Sequence, residues 1–356
     1  MITVAIHDKT DFASTINKKR IACLRENITL LPPMCAQFFR GVENETTVLT
    51  RIGYSYDLQV FFRFLAHEID IFKREDSRSF TVADMENLQA IHVEMYMEYL
   101  NGYEKDDRYY ENGETGKSRK LASLRSFMHY LFKNEWITKN VVELVDFPKL
   151  HKKPIIRLEA DEVAKLIDLV DAGDELTEKQ QDFHRKTRLR DLCMITMFLT
   201  TGMRISECVG VNINDIDFNT NGILITRKGG NKTVVYFGDE LESVLTDYLE
   251  YRKTIAAQPG HEDALFLSLQ KKRITPRAVQ LLVKKYASVI TPLKHITPHK
   301  LRSTYGTSLY RETGDIYLVA EVLGHSDVNT TRRHYAAMSE DHKRAAANAV
   351  KLRDDK

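Results

Sequence analysis

Apolar positions fall at helical spacing along most of the chain. From Thr50 onward, Tyr54, Leu58, Phe61, Phe62 and Leu65 stand at i, i+4, i+7, i+8 and i+11, one face of an amphipathic helix that predicts a buried core element. Ile91, Met95 and Leu100 begin a second such pattern, and Leu121, Leu124, Met128, Leu131 and Phe132 a third. Between those two lies a polar, glycine-containing stretch, NGYEKDDRYYENGETGKSRK (101–120), the longest loop expected here. The first half therefore reads as a small all-helical domain.

The pattern breaks at DFPKLHKKPIIRLEADE, where two prolines and the basic residues Lys149, Lys152, Lys153 and Arg157 disfavour helix and predict an extended linker. Helical spacing restarts with Val163, Leu166, Ile167 and Val170, then gives way to one patch of different character. There, Ile216–Phe218, the Asn221-Gly222 turn, Ile223–Arg227, the Gly229-Gly230 turn and Thr233–Phe237 predict a three-stranded antiparallel meander, because those dipeptides supply the positive φ of tight hairpins. Helices resume to the end. Thr275-Pro276 and Thr297-Pro298 each pair an N-cap with proline at the first helical position. A chain of 356 residues exceeds one ordinary core, and the expected division is an N-terminal extension (1–44), a helical domain (45–148), a basic linker (149–158) and a second domain (159–356). The fold class is mainly α with a small antiparallel β-sheet.

Composition narrows the partners little. The chain carries 52 Lys and Arg against 50 Asp and Glu, a formal charge of +2, so any basic surface must be local. Cys23, Cys35, Cys193 and Cys208 lack metal-ligand spacing, which suggests reduced thiols in an intracellular protein. No apolar run is long enough to span a membrane, and the opening MITVAIHDKTD lacks a signal-peptide pattern; the expected location is cytoplasmic.

Five features could carry chemistry, and each has a plainer reading when taken alone. Arg204 follows an apolar helix in TTGMRISE, with Glu207 three residues on; it could simply cap helix carbonyls. Lys228 stands at a hairpin tip in TRKGGNK, where lysines usually serve solubility. His299 and Arg302 share a face at a helix N-terminus, a place suited to an anion and equally to a solvated surface. His325 follows Gly324, the expected terminator of a helix over 315–323, and Tyr335 lies ten residues further on, beside Arg332 and Arg333.

Taken in order, TTGMRISE (200–207), TRKGGNKTVVYF (226–237), ITPHKLRSTYGT (296–307) and LGHSDVNTTRRHY (323–335) resemble the catalytic domain of the tyrosine recombinases, the phage integrase family. The resemblance covers roughly residues 155–350 and extends less specifically to the helical first half, which is similar to that family's core-binding domain in a simple two-domain, Xer-like plan. It implies a site-specific DNA recombinase with Tyr335 as the nucleophile that forms a 3′-phosphotyrosyl link, so that the bond energy is conserved and neither ATP, metal nor another cofactor is needed. Arg204 and Arg302 would clamp the phosphate oxygens. Lys228 would protonate the leaving 5′-oxygen, with Lys232 as the alternative acid. His299 would handle the tyrosine proton, His325 would donate to a phosphate oxygen, and Glu207 would orient Arg204 or His299.

The implied partner is double-stranded DNA with inverted-repeat half-sites, held by a homo-tetramer on two duplexes. DNA contacts are expected from Lys117, Arg119, Lys120, Lys152, Lys153, Arg157, Arg332 and Arg333. A helix bearing Ala345, Ala346, Ala349 and Leu352 would either pack on its own domain or fray, or, as the resemblance implies, dock on a neighbouring protomer. Ser303 departs from relatives that carry a second histidine there. A type IB topoisomerase or a non-catalytic DNA-binding regulator would share much of this pattern; the first would relax DNA without paired sites, and the second would lack the full set of site residues.

Overall fold

The computed structural model describes residues 12–151, 155–227, 230–324 and 328. The chain divides into two compact units, Met1–Lys152 and Lys153–Lys356.

The first unit holds α1 (Phe12–Thr29), α2 (Pro33–Gly41), α3 (Val48–Glu68), α4 (Val82–Glu86), α5 (Ala90–Tyr99), the hairpin β1 (Tyr103–Lys105) and β2 (Arg108–Tyr110), and α6 (Glu114–Lys133). Thr47 starts α3 by accepting a hydrogen bond from the Thr50 amide at 3.2 Å. The predicted stripe Leu58, Phe61, Phe62 and Leu65 is buried, as are Leu121, Leu124, Phe127, Met128 and Leu131 of α6. Phe127 meets Phe38 and Phe62 edge-on, with ring centroids 5.4 and 5.9 Å apart.

Four expectations change in this unit. The segment taken as an N-terminal extension forms α1 and α2, and Leu31, Met34, Cys35, Phe38 and Phe39 join the same core as α3. On α5 the buried stripe is Val93, Tyr96 and Leu100, while Ile91 and Met95 are exposed; Tyr96 anchors the helix by packing on Phe61, with centroids 5.2 Å apart. Phe132 is likewise exposed at the end of α6. The expected loop over 101–120 is an antiparallel hairpin followed by the first turns of α6, because Asp106 and Asp107 adopt φ of 51° and 57° and close a tight turn. Tyr99, Tyr103 and Tyr110 stack along it.

The second unit contains α7 (Ala160–Ala172), α8 (Glu178–Thr201), α9 (Ile205–Gly210), β3 (Ile216–Asp217), β4 (Gly222–Thr226), β5 (Lys232–Tyr236), α10 (Asp239–Lys253), α11 (Pro276–Ile290), α12 (Pro298–Thr313) and α13 (Ile316–Leu323). The buried run Leu192–Phe198 makes α8 the central helix, against which α7, α10 and α12 pack. Asp191, itself buried, accepts from Thr187 at 2.9 Å, Arg190 at 2.6 Å and the Tyr286 hydroxyl at 3.0 Å, tying α8 to α11.

The meander is present, in the order β3-β4-β5, antiparallel throughout. Its register pairs Ile216 with Ile223 and Thr226 with Lys232, and Asn221 supplies the positive φ of the first turn at 48°. Ile223, Ile225 and Val235 face the core; Leu224 and Val234 face out, the alternation a one-sided sheet requires. Among the described residues no helix is long and apolar enough to cross a membrane.

Candidate active site

The site begins where α8 stops. Gly202 closes that helix in the left-handed conformation, φ 61°, and a Cβ there would lie 2.4 Å from the Tyr305 ring and 2.8 Å from Leu323. Glycine thus meets both the backbone and the packing requirement. Two residues later Arg204 is the extended residue that opens α9, and the carboxylate of Glu207 reaches back to it twice: one oxygen accepts from the Arg204 amide at 2.7 Å, the other from its guanidinium at 2.9 Å. Glu207 is buried while about a third of the Arg204 side chain is exposed. A buried carboxylate therefore fixes the orientation of a partly exposed cation.

Arg302 arrives from α12. Thr297 caps that helix and Pro298 takes its first position, as expected. The guanidinium of Arg302 is buried and donates to the Gly202 carbonyl at 2.6 Å and to the Leu323 carbonyl. His299, one turn earlier on α12, is exposed. Ser303 donates its hydroxyl to the His299 carbonyl at 3.1 Å, a local i→i−4 bond within α12. Burial raises the pKa of the Tyr305 phenol above its ordinary value.

The elements meet at the end of α13. Asp315 caps the start of this helix through the amides of Tyr317 and Leu318, at 2.8 and 3.1 Å, and Gly324 ends it with φ 61°. Arg227, from the strand end of the β4–β5 hairpin, donates to the Val322 carbonyl at 3.1 Å; Arg302 donates to Leu323; Arg204 donates to the Gly324 carbonyl at 2.9 Å. Three guanidiniums from three distant segments thus meet three successive carbonyls. The last carbonyls of a helix lack intrahelical partners and carry the negative end of its dipole, so cations gather there. Arg204 thus does meet a helix-end carbonyl, but that of α13 and not of α8, which it follows, and this contact sets where the guanidinium points.

Lys228, His325, Tyr335, Arg332, Arg333, Lys152, Lys153 and the proposed C-terminal helix lie outside the described residues. Lys232, the alternative acid, is exposed at the start of β5. Of the expected DNA contacts, Arg157 is paired with Glu159 at 3.0 Å, and that pairing, together with Arg311, holds the Glu159 carboxyl below its usual value. Lys117, Arg119 and Lys120 stand on α6 and not in a loop. Lys117 donates to Asn101, and Arg119 to Asp57 with half its side chain exposed. Lys120 is buried, 2.8 Å from the Asn112 amide oxygen and 3.8 Å from Asp57, so its ammonium braces the unit from within and is not turned outward to a phosphate. Arg227 was missed from sequence; its signal was its position next to Lys228.

Residues 157–342 match the sequence profile described as the phage integrase family. Over 94% of this chain and 90% of the relative, it is 32% identical to tyrosine recombinase XerC of Caldanaerobacter subterraneus subsp. tengcongensis. The chain belongs to the phage integrase family. As a member it is a tyrosine recombinase, and it is also similar to tyrosine recombinase XerS of Lactococcus lactis, 27% identical over 89% of this chain and 95% of the relative. In fold it resembles XerH recombinase bound to palindromic difH substrate, with TM-score 0.63 and 22% identity over 82% of this chain and 77% of that one. A lambda integrase dimer bound to a core site gives TM-score 0.61 and 14% identity over 85% and 93% of the two chains. At such low identity the likeness is one of architecture, kept by packing while most side chains differ.

Proposed function

We propose that this recombinase cleaves and rejoins double-stranded DNA at inverted-repeat half-sites, with Tyr335 as nucleophile. The Tyr335 oxygen attacks phosphorus, the bond to the 5′-oxygen breaks, and a 3′-phosphotyrosyl link holds the strand until a 5′-hydroxyl from the partner duplex reverses the step. Lys228 gives the leaving oxygen its proton, His299 takes the proton of the phenol, and His325 donates to a non-bridging oxygen. Arg204 and Arg302 neutralise the charge that builds on the phosphoryl oxygens, where planar forks suit the geometry.

The observation that carries this reading is the convergence of Arg204 and Arg302 on the carbonyls of residues 324 and 323, immediately before His325. Residues distant in sequence are there brought to the one segment that leads to the candidate nucleophile. XerH, which shares the fold, binds a palindromic substrate, and a palindrome presents equivalent half-sites to symmetric copies of one chain. On this reading four copies act on two duplexes, in the cytoplasm, with DNA gripped by Arg119 on the first unit and by Lys152, Lys153, Arg157, Arg332 and Arg333. Either chromosome dimer resolution or movement of a mobile element would use this chemistry.

A nicked suicide substrate tests the nucleophile. The unaltered protein should yield a denaturation-resistant adduct without added metal and in the presence of a chelator. Tyr335→Phe should bind the site within a few fold and yield none. An adduct with the Phe variant would move the role to Tyr305 or Tyr310.

A further inference from the structure

We propose that Arg227 is a positioning residue for strand cleavage, tying the neck of the β4–β5 hairpin to the C-terminal end of α13. The inference rests on the reading of Lys228 as the general acid, since Lys228 follows Arg227 directly in sequence.

The main chain of Arg227 closes the hairpin from both sides: its amide donates to the Asn231 carbonyl at 2.8 Å, and its carbonyl accepts from the Gly230 amide at 3.1 Å. Its side chain leaves the sheet and donates to the Val322 carbonyl at 3.1 Å. The guanidinium lies so close to Gly324 that a Cβ on that glycine would come within 1.8 Å of Nη1 and 2.3 Å of Cζ. The Nε is buried with no hydrogen-bond partner among the described residues. A buried unpaired donor costs free energy, and a guanidinium serving solubility would avoid that cost by turning outward. Here the side chain is committed inward, to the segment whose next residue is His325.

The consequence is geometric. A lysine side chain has four rotatable bonds, whereas a general acid must come within hydrogen-bond reach of its oxygen. Anchoring Arg227, the residue before it, limits the positions from which that side chain can start. The same bond holds the hairpin in register with the backbone that Arg302 and Arg204 engage one and two residues later.

The test is single-turnover cleavage by the full chain on two substrates, one with the natural 5′-oxygen leaving group and one with a 5′-thio leaving group that needs no proton. Arg227→Ala should slow cleavage of the oxygen substrate by about 10²-fold, the scale of a misplaced catalytic group, and regain most of the rate on the thio substrate. Lys228→Ala should show the same rescue, and the double variant should be no slower than Lys228→Ala alone. Arg227→Lys, which keeps a donor of similar reach for Val322, should fall between the two and carries the test if the Ala variant does not fold.

Equal slowing on both substrates would overturn the proposal, as would an unaltered rate or a loss of DNA affinity that accounts for the slowing. Rescue of Arg227→Ala without rescue of Lys228→Ala would keep Arg227 as the positioning residue and remove Lys228 as the acid. Rescue of Lys228→Ala alone would do the reverse.

Discussion

Arg204 and Arg302 donate to the carbonyls of adjacent residues, Gly324 and Leu323, from helices far apart in the chain. Each cation is thereby fixed in place. In the proposed reaction such fixed donors would stabilise developing charge without reorganising at the moment of reaction.

Arg204→Ala and Arg302→Ala should each reduce cleavage by about 10² to 10³ fold, the usual effect of removing one transition-state donor. They should differ in stability. Arg302 is buried and satisfies the Gly202 and Leu323 carbonyls, so its loss should cost on the order of 2–4 kcal/mol through two orphaned acceptors. Arg204 is partly exposed, and its removal should cost less. Urea unfolding of both variants measures the difference, and equal losses would contradict the assignment of the anchoring role.

In the first unit, buried Asp57 accepts from Ser123 at 2.7 Å and from Arg119, and it faces Lys120 at 3.8 Å. Removing it with Asp57→Ala leaves a buried ammonium and should destabilise by about 3–5 kcal/mol, with Lys120→Met recovering part of the loss. Burial raises the Asp57 carboxyl above the ordinary value of 3.8, against the pull of Ser123, Arg119 and Lys120. Its titration therefore favours folding fully below that value and loses this contribution as pH rises through the higher folded value. Denaturant titrations of the unaltered protein and Asp57→Asn across the acid range should differ by a component of this sign.

Cys35, Cys193 and Cys208 are buried, and desolvation raises all three thiols well above their ordinary value. Thiolate is the reactive form, so the native protein should be alkylated at Cys23 alone and all four should react after denaturation. Mass spectrometry of the labelled peptides reads this directly. Rapid native labelling of Cys193 would mean that the α8 core opens far more readily than its packing suggests.

The C-terminal segment carries the assembly reading. Deleting residues 341–356 should leave binding to one half-site intact and abolish cooperative filling of the second, because the helix expected there from sequence would carry too small an apolar stripe to be stable without docking. A gel-shift titration separates the two steps. Undiminished cooperativity would assign the tail to its own domain.

Helical spacing alone determined α3, α6 and α7, because one-sided burial imposes a period near 3.6 on the residues themselves, and turn dipeptides determined the meander for the same local reason. The ordered motifs around Arg204, Arg302 and Glu207 were legible because the proposed chemistry would need particular residue types. The stripe read from spacing on α5, Ile91 and Met95 with Leu100, was wrong at its first two positions, because packing of Tyr96 on Phe61 turns Val93 and Tyr96 inward instead. Nor could local signals show that α1 and α2 complete the first core, or that Lys120 lies inside it with Asp57. The meeting of Arg227, Arg302 and Arg204 on residues 322, 323 and 324 has no signature in sequence. It exists only once α8, α12, α13 and the hairpin are packed together, since unpaired helix-end carbonyls gain their partners from whatever the tertiary fold brings near.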